Sequence, residues 1–171
     1  IPYFWAISKD KDMTITPKIY AGENILVKNE YRQAFENSFL IVDSSYTKGY
    51  KKVTDNKTPG SRSHIFANFI HNFKEKDNSY SNLEINLEHV SNDTYLKVHD
   101  VNTELVDSDK QILKNEIKYQ YQDENEYFGL IASAFEDLNK TDRSKYEYIL
   151  PNAVYERNLF SDEKIGMIDL Y

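Results

Sequence analysis

Cysteine is absent from the 171 residues, which removes thiol nucleophiles, disulfide frameworks and cysteine-based zinc sites from consideration. Glycine and proline are scarce, at 5 and 4, and neither a phosphate-binding loop nor a nucleotide fingerprint nor a serine elbow can be found. Long apolar runs are missing too. Nothing approaches the roughly 18 consecutive apolar residues of a membrane-spanning helix. Basic residues number 21 against 28 acidic ones, for a net charge of −7, which argues against a general nucleic-acid binder with its basic footprint.

What remains is a polar chain, of mean hydropathy −0.70, that is nonetheless 40% hydrophobic and 14% aromatic, with 14 tyrosines. Its apolar residues are spread thinly and in alternation. Period-two patterning predicts strands with one apolar face, and no window keeps an apolar stripe at helical spacing for more than about two turns. The expectation is an all-β, antiparallel up-and-down meander of about nine strands in one domain.

After the opening aromatics Tyr3-Phe4-Trp5, strands are predicted at Met13–Tyr20, Ile25–Phe35, Phe39–Thr47, His64–Phe73, Tyr80–Val90, Leu113–Gln122, Tyr127–Phe135, Tyr146–Tyr155 and Lys164–Tyr171. Tyr80–Val90 alternates most cleanly, with Leu83, Ile85 and Leu87 against Asn82, Glu84, Asn86 and Glu88. The predicted strands are longer than ordinary globular ones, which run about 5 to 6 residues, and reach the length that crosses a bilayer at a tilt. Short turns around Lys9, Glu36, Asp77, Glu124 and Ser161 take turns with mostly longer loops at Lys48–Ser63, Ser91–Lys110 and Asp137–Ser144. That is the connectivity of outer-membrane barrels. A soluble, lipocalin-like β-barrel binding a small hydrophobic ligand fits the same alternation with its polarity inverted, and alternation alone leaves both open. The chain opens without methionine or a signal segment and closes inside an alternating pattern, and so reads as an excerpt of something longer.

The block Pro2 to Tyr20, PYFWAISKDKDMTITPKIY, resembles an early barrel region of the LptD family of lipopolysaccharide-assembly proteins, also called organic solvent tolerance protein. That family carries an aromatic P-[FY]-[YF]-W stretch, a polar turn and an alternating T-x-T-P-[RK] strand. Leu26 to Arg32, LVKNEYR, is similar to its next strand, and Asn86 to Leu96, NLEHVSNDTYL, to a strand ending in an S-[ND]-D-x-Y loop. The chain departs from the family in being poor in glycine. The resemblance implies early strands of a large transmembrane β-barrel in the outer membrane of a Gram-negative bacterium, without the family's periplasmic jelly-roll domain or later strands. It implies a non-enzymatic role in lipopolysaccharide transport, through a lumen and a lateral gate. The implied partners are lipopolysaccharide, outer-membrane lipids, an LptE-like plug lipoprotein and, through the missing domain, a periplasmic LptA-like bridge; no cofactor is implied.

In the membrane reading Met13, Ile15, Ile19, Leu83, Ile85, Leu87, Ile117 and Tyr119 face lipid, because a charge at mid-bilayer costs roughly 2 to 4 kcal/mol. Lys18, Lys28, Glu30, Arg32, Glu84, Asn86, Glu88, Glu116, Lys118 and Gln120 face the lumen. The tyrosine excess fits aromatic girdles, though tyrosine is also a good strand former. Pro2, in a predicted strand, removes a ladder donor and matches a family proline close to the lateral gate, while a harmless strand start explains it equally well. Pro17 falls mid-strand, where a shaping bulge or kink is expected.

Catalysis and metal binding find no candidate. His64 and His71 fall on opposite faces of one strand, and no His-x-His or His-Glu-x-x-His spacing involves them, His89 or His99. Glu84 and Glu88 share a face but sit about 13 Å apart along a strand, beyond the ~5 to 9.5 Å of glycosidase pairs.

Overall fold

The structure, a computed structural model, describes residues 1–21, 24–48, 60–73, 78–162 and 166–170. Ten strands form one sheet in strict chain order: β1 (Tyr3–Ala6), β2 (Lys11–Lys18), β3 (Leu26–Ala34), β4 (Ser38–Lys48), β5 (Ser61–Phe73), β6 (Tyr80–Val90), β7 (Ile112–Gln122), β8 (Glu126–Asp137), β9 (Tyr146–Asp162) and β10 (Gly166–Leu170). Every neighbouring pair is antiparallel. The sheet is an open meander with β1 and β10 at its edges, consistent with a barrel segment. The strand beyond the nine expected is β1, formed by the opening aromatics themselves. No helix among the described residues is long and apolar enough to cross a membrane; the helical elements are α1 (Tyr95–His99) and a single 3-10 turn at Arg143–Lys145.

The connections alternate as expected. Among the described residues, 7–10, 35–37, 78–79 and 123–125 lie at one end of the sheet, and the longer connections 91–111 and 138–145 at the other. The 123–125 turn is built by local side-chain bonds, as Asp and Asn turns usually are. The Asp123 carboxylate accepts from the backbone N–H groups of Asn125 (2.8 Å) and Glu126 (2.9 Å), and these bonds hold it below the usual carboxylate range. Most of the predicted Lys48–Ser63 loop and the Asp77 turn lie outside the described residues.

Three local expectations are corrected. Pro2 lies outside regular structure, just ahead of β1. Pro17 lies within β2 opposite Val27 in an unbroken register, with no bulge; β1 pairs only as far as Ile15, so a missing donor there costs that side of the ladder nothing. The irregularity is instead at Pro151: the β8–β9 register shifts between Ile131, opposite Asn152, and Ser133, opposite Ile149. A bulge is the usual way a strand accommodates proline. Finally, β9 continues past Tyr155 to Asp162, placing Ser161 in a strand rather than a turn.

The core lies at the long-loop end, over the face of the polar lanes and around the start of β7. Leu26, Phe66, Val90 and Leu113 from the strands meet Tyr95, Leu96, Val101 and Val106 from the 91–111 connection, all at 5% exposure or less.

Candidate functional site: a two-faced sheet with a covered end

Residues paired across an antiparallel ladder share a face, so the registers show which side chains lie together. One lane runs Asp12, Arg32, Ile41, Asn68, Asn86, Glu116, Ser133 from β2 to β8, and a parallel one Thr16, Lys28, Ser45, His64, Val90. Lys18, Glu30, Glu84, Glu88, Lys118 and Gln120 fall on the same face by the same pairings. This is the covered face, carrying α1. Met13, Ile15, Leu83, Ile85, Leu87, Ile117 and Tyr119 fall together on the opposite face. Ile19 lies just beyond β2, fully in the open at 79% exposure. The other face displays apolar side chains outward: Leu87 and Ile117 are 54% and 52% exposed, with Trp5, Val27, Ile65 and Phe73 also exposed.

On the inner face the polar side chains bind one another. Arg32 holds the Asp12 carboxylate through two nitrogens, at 3.0 and 2.9 Å. Asn68 donates to Asn86 (2.6 Å), Asn82 to Asn72 (2.9 Å) and Ser133 to Glu116 (2.7 Å), whose carboxylate also pairs with Lys114 at 2.7 Å. The β6–β7 ladder ends at Asn86 opposite Glu116, and beyond it the Asn115 side chain substitutes for a strand. It accepts from the Glu88 N–H (2.9 Å) and donates to the Glu88 carbonyl (3.2 Å). Near the short-turn end Phe4, Ala6, Asp12, Arg32, Ala34 and Phe39 line an open cavity of about 510 Å³.

The long-loop end is different. The 91–111 connection crosses the inner face as a strap, tied at both ends by lysines. Lys145 grips Asp93 (2.6 Å) and Glu136 (2.7 Å). Burial alone would lower its ammonium, but these bonds outweigh it and raise it above the ordinary lysine value. On the far side, α1 ends at Asp100, with φ 48°, and its last carbonyls are captured. Lys18 Nζ donates to the His99 and Asp100 carbonyls at 3.0 and 2.9 Å, and the Tyr20 hydroxyl to His99 at 3.3 Å. Lys28 reaches the Asn102 carbonyl at 3.5 Å. On the return leg Lys110 pairs with Glu88 at 2.5 Å.

Under the strap lies a buried chain of polar groups that the sequence reading did not assemble. Asp43 Oδ1 is 2.7 Å from His64 Nε2, His64 Nδ1 is 2.6 Å from Ser45 Oγ, and Ser45 Oγ is 2.6 Å from the Tyr95 hydroxyl. All four residues are at most 5% exposed. With a neutral imidazole donating to Asp43, Nδ1 accepts from Ser45, which accepts from Tyr95, and each donor has its acceptor. Burial pushes the Tyr95 phenol up to about 12. Among the described residues Asp43 Oδ2 has no hydrogen-bond partner. Serine, histidine and aspartate within hydrogen-bond reach also form the nucleophile, base and orienter of acyl-transfer enzymes. Here Tyr95 caps the serine and the chain of groups is buried, so the arrangement ties the strap to the sheet. The available signal was β-strand parity: Asp43, Ser45 and His64 all belong to the polar lanes. His71 lies on the opposite face, against Leu83 and Ser38. Among the described residues no group of three metal-ligating side chains converges.

No family model matches the chain. Curated relatives do. The chain is 25% identical over 166 residues to the LPS-assembly protein LptD of Legionella pneumophila strain Lens. It is 24% identical over the same length to the LptD proteins of strains Paris and Philadelphia 1. Each match takes in 92% of this chain but only 19% of the relative's length. The relationship to LptD is distant.

Proposed function

We propose that the sheet is part of the wall of a large outer-membrane β-barrel belonging to an LptD-like translocon that delivers lipopolysaccharide to the outer leaflet. The observation that carries this reading is the distant LptD similarity running through nearly the whole chain, supported by a sheet whose faces sort by polarity. The outer side chains, led by Met13, Ile15, Leu83, Ile85, Leu87, Ile117 and Tyr119, would meet lipid. The inner lanes, with Lys18, Lys28, Glu30, Arg32, Glu84, Asn86, Glu88, Glu116, Lys118 and Gln120, would line a wet lumen that passes a sugar head group while acyl chains leave sideways. Pro2, next to edge strand β1, is the candidate for easing a seam at a lateral gate. An LptE-like plug inside and an LptA-like bridge on the periplasmic side would complete the path. A lipocalin-like ligand cup would need an apolar interior throughout, and the open half of this inner face is polar.

Depletion of the full-length parent in its native bacterium tests the reading. Newly made, labelled lipopolysaccharide is expected to stop reaching the cell surface and to accumulate inside the outer membrane; unchanged surface arrival would refute the role.

A further inference from the structure

The apolar band of the outer face ends at polar side chains on both sides, and these limits cross the strands on a slant. Toward the short-turn end the first polar side chains are Lys11 opposite Gln33, then Ser38 opposite His71, then Ser81 and, just past β7, Asp123. In register, this limit moves two residues along the chain at three of the five steps from β2 to β7. At about 3.4 Å per residue and about 4.8 Å between strands, that slope is a strand tilt of about 40°, which is the tilt of outer-membrane barrel strands. The loop-end limit runs parallel to it. Ser63 is eight residues from His71 on β5, His89 eight from Ser81 on β6, and Asn115 eight from Asp123 on β7, with only apolar or aromatic outer side chains in between. Eight residues of tilted strand give about 21 Å of height, close to the apolar band of about 25 Å on such barrels. On β2 the outer positions Met13, Ile15 and Pro17 stay apolar over the same reach.

β3 and β4 break this pattern. Asn29 is only four residues from Gln33 and Ser44 six from Ser38, and the two polar side chains sit opposite each other across the ladder. The apolar height there falls to about 10 and 16 Å at the same tilt. Ile15 and Ile65 flank the pair in the same row, so the gap in the band is two strands wide, about 10 Å. Among the described residues Asn29 Oδ1 has no hydrogen-bond partner, and hydrocarbon supplies none. We infer that the loop-end surface of the bilayer dips against β3 and β4, so that the hydrated head-group layer reaches down to Asn29 and Ser44 while β2 and β5 beside them stay in hydrocarbon. A bilayer yields to a short apolar stretch by thinning at modest cost, whereas two side-chain polar groups left in hydrocarbon would find no partner for their hydrogen bonds.

The inference rests on the reading of the outer face as lipid-facing, and its test separates the two. In the full-length parent in its native membrane, Ile15→Cys, Asn29→Cys, Ser44→Cys and Ile65→Cys are compared for reaction with a water-soluble maleimide, above the parent's own background. Positions 29 and 44 are expected to react at least about tenfold faster than 15 and 65 in the same row, because hydrocarbon excludes the reagent and disfavours the reactive thiolate. A cysteine at 29 or 44 removes part of the polarity it reports on, so Val27→Cys, one row nearer the loops on β3, is measured as well. It should react readily in the parent and about tenfold more slowly when Asn29→Val and Ser44→Val restore a full apolar band that draws lipid over it. Equally slow reaction at all four positions, or unchanged reaction at 27 in the double variant, would overturn the dip. If positions 83, 85 and 87 still react from lipid in those cases, the lipid-facing reading stands without it. Equally fast aqueous reaction at all four positions would overturn the dip and the lipid-facing reading together.

Discussion

The two ends of the inner face solve the problem of a polar surface differently. At the short-turn end the side chains of the lanes bond to one another across strands, as Arg32 does with Asp12, and keep part of their surface, 40% and 28% for that pair, in contact with solvent. At the long-loop end the same register positions carry Leu26, Phe66 and Val90, buried under a strap together with Asp43, Ser45 and His64. One end is an open wet groove and the other is a small dry core. Polarity of a face is therefore a local property, set by what covers it, and a covered end is also where specific stability resides.

The largest expected effect sharpens that contrast. Phe66→Ala should destabilise the detergent-folded parent by about 3 to 5 kcal/mol, the usual cost of emptying an aromatic from a core, as measured by denaturant unfolding. The contrast between the two faces comes next. Leu87→Arg should cost about 2 to 4 kcal/mol if that position lies near mid-bilayer, read as lost assembly in lipid vesicles, while Asn86→Arg on the adjacent inner position should fold nearly as the parent does. Equal penalties would break the assignment of the faces.

A titration probes the covered end alone. Below about pH 10 the Tyr95 phenol is neutral in folded and unfolded chains alike, so its contribution is flat there. The folded value lies at about 12, so as pH rises from 10 the unfolded chain ionises first and stability falls until the folded phenol ionises too. Tyrosinate absorbance should show one late-titrating phenol in the parent that Tyr95→Phe removes; an unchanged titration curve would contradict the burial. The smallest effect belongs to the open end. Arg32→Ala breaks a partly exposed ion pair and should cost about 1 kcal/mol or less, a figure that a comparable loss to Phe66→Ala would exclude.

Much of the sheet could be read from the sequence because a strand's pleat writes its faces into alternate residues. Leu83, Ile85 and Leu87 against Glu84, Asn86 and Glu88 separated just as the alternation implies. The strap could not be read the same way. Tyr95, Leu96, Val101 and Val106 are spaced irregularly in a stretch that looks like a polar loop, and what buries them is three-dimensional: apolar residues at polar-lane positions of three other strands. Phe66 and Val90, apolar residues in phase with the polar lanes, are the trace of it. Pro17 taught a similar lesson, since the tolerance of a proline depended on where β1 stops pairing. Pro151, unremarked in the sequence, marks the bulge.

The central claim is that this sheet separates lipid from water. Cysteine scanning along Asn82 to Val90 in the full-length parent, in its native membrane, tests it most directly with a lipid-soluble and a water-soluble thiol reagent. The account predicts that positions 83, 85 and 87 react only from lipid and that 84 and 86 react only from water. Absence of lipid labelling at 83, 85 and 87 would contradict it, and the lipopolysaccharide role would fall with it.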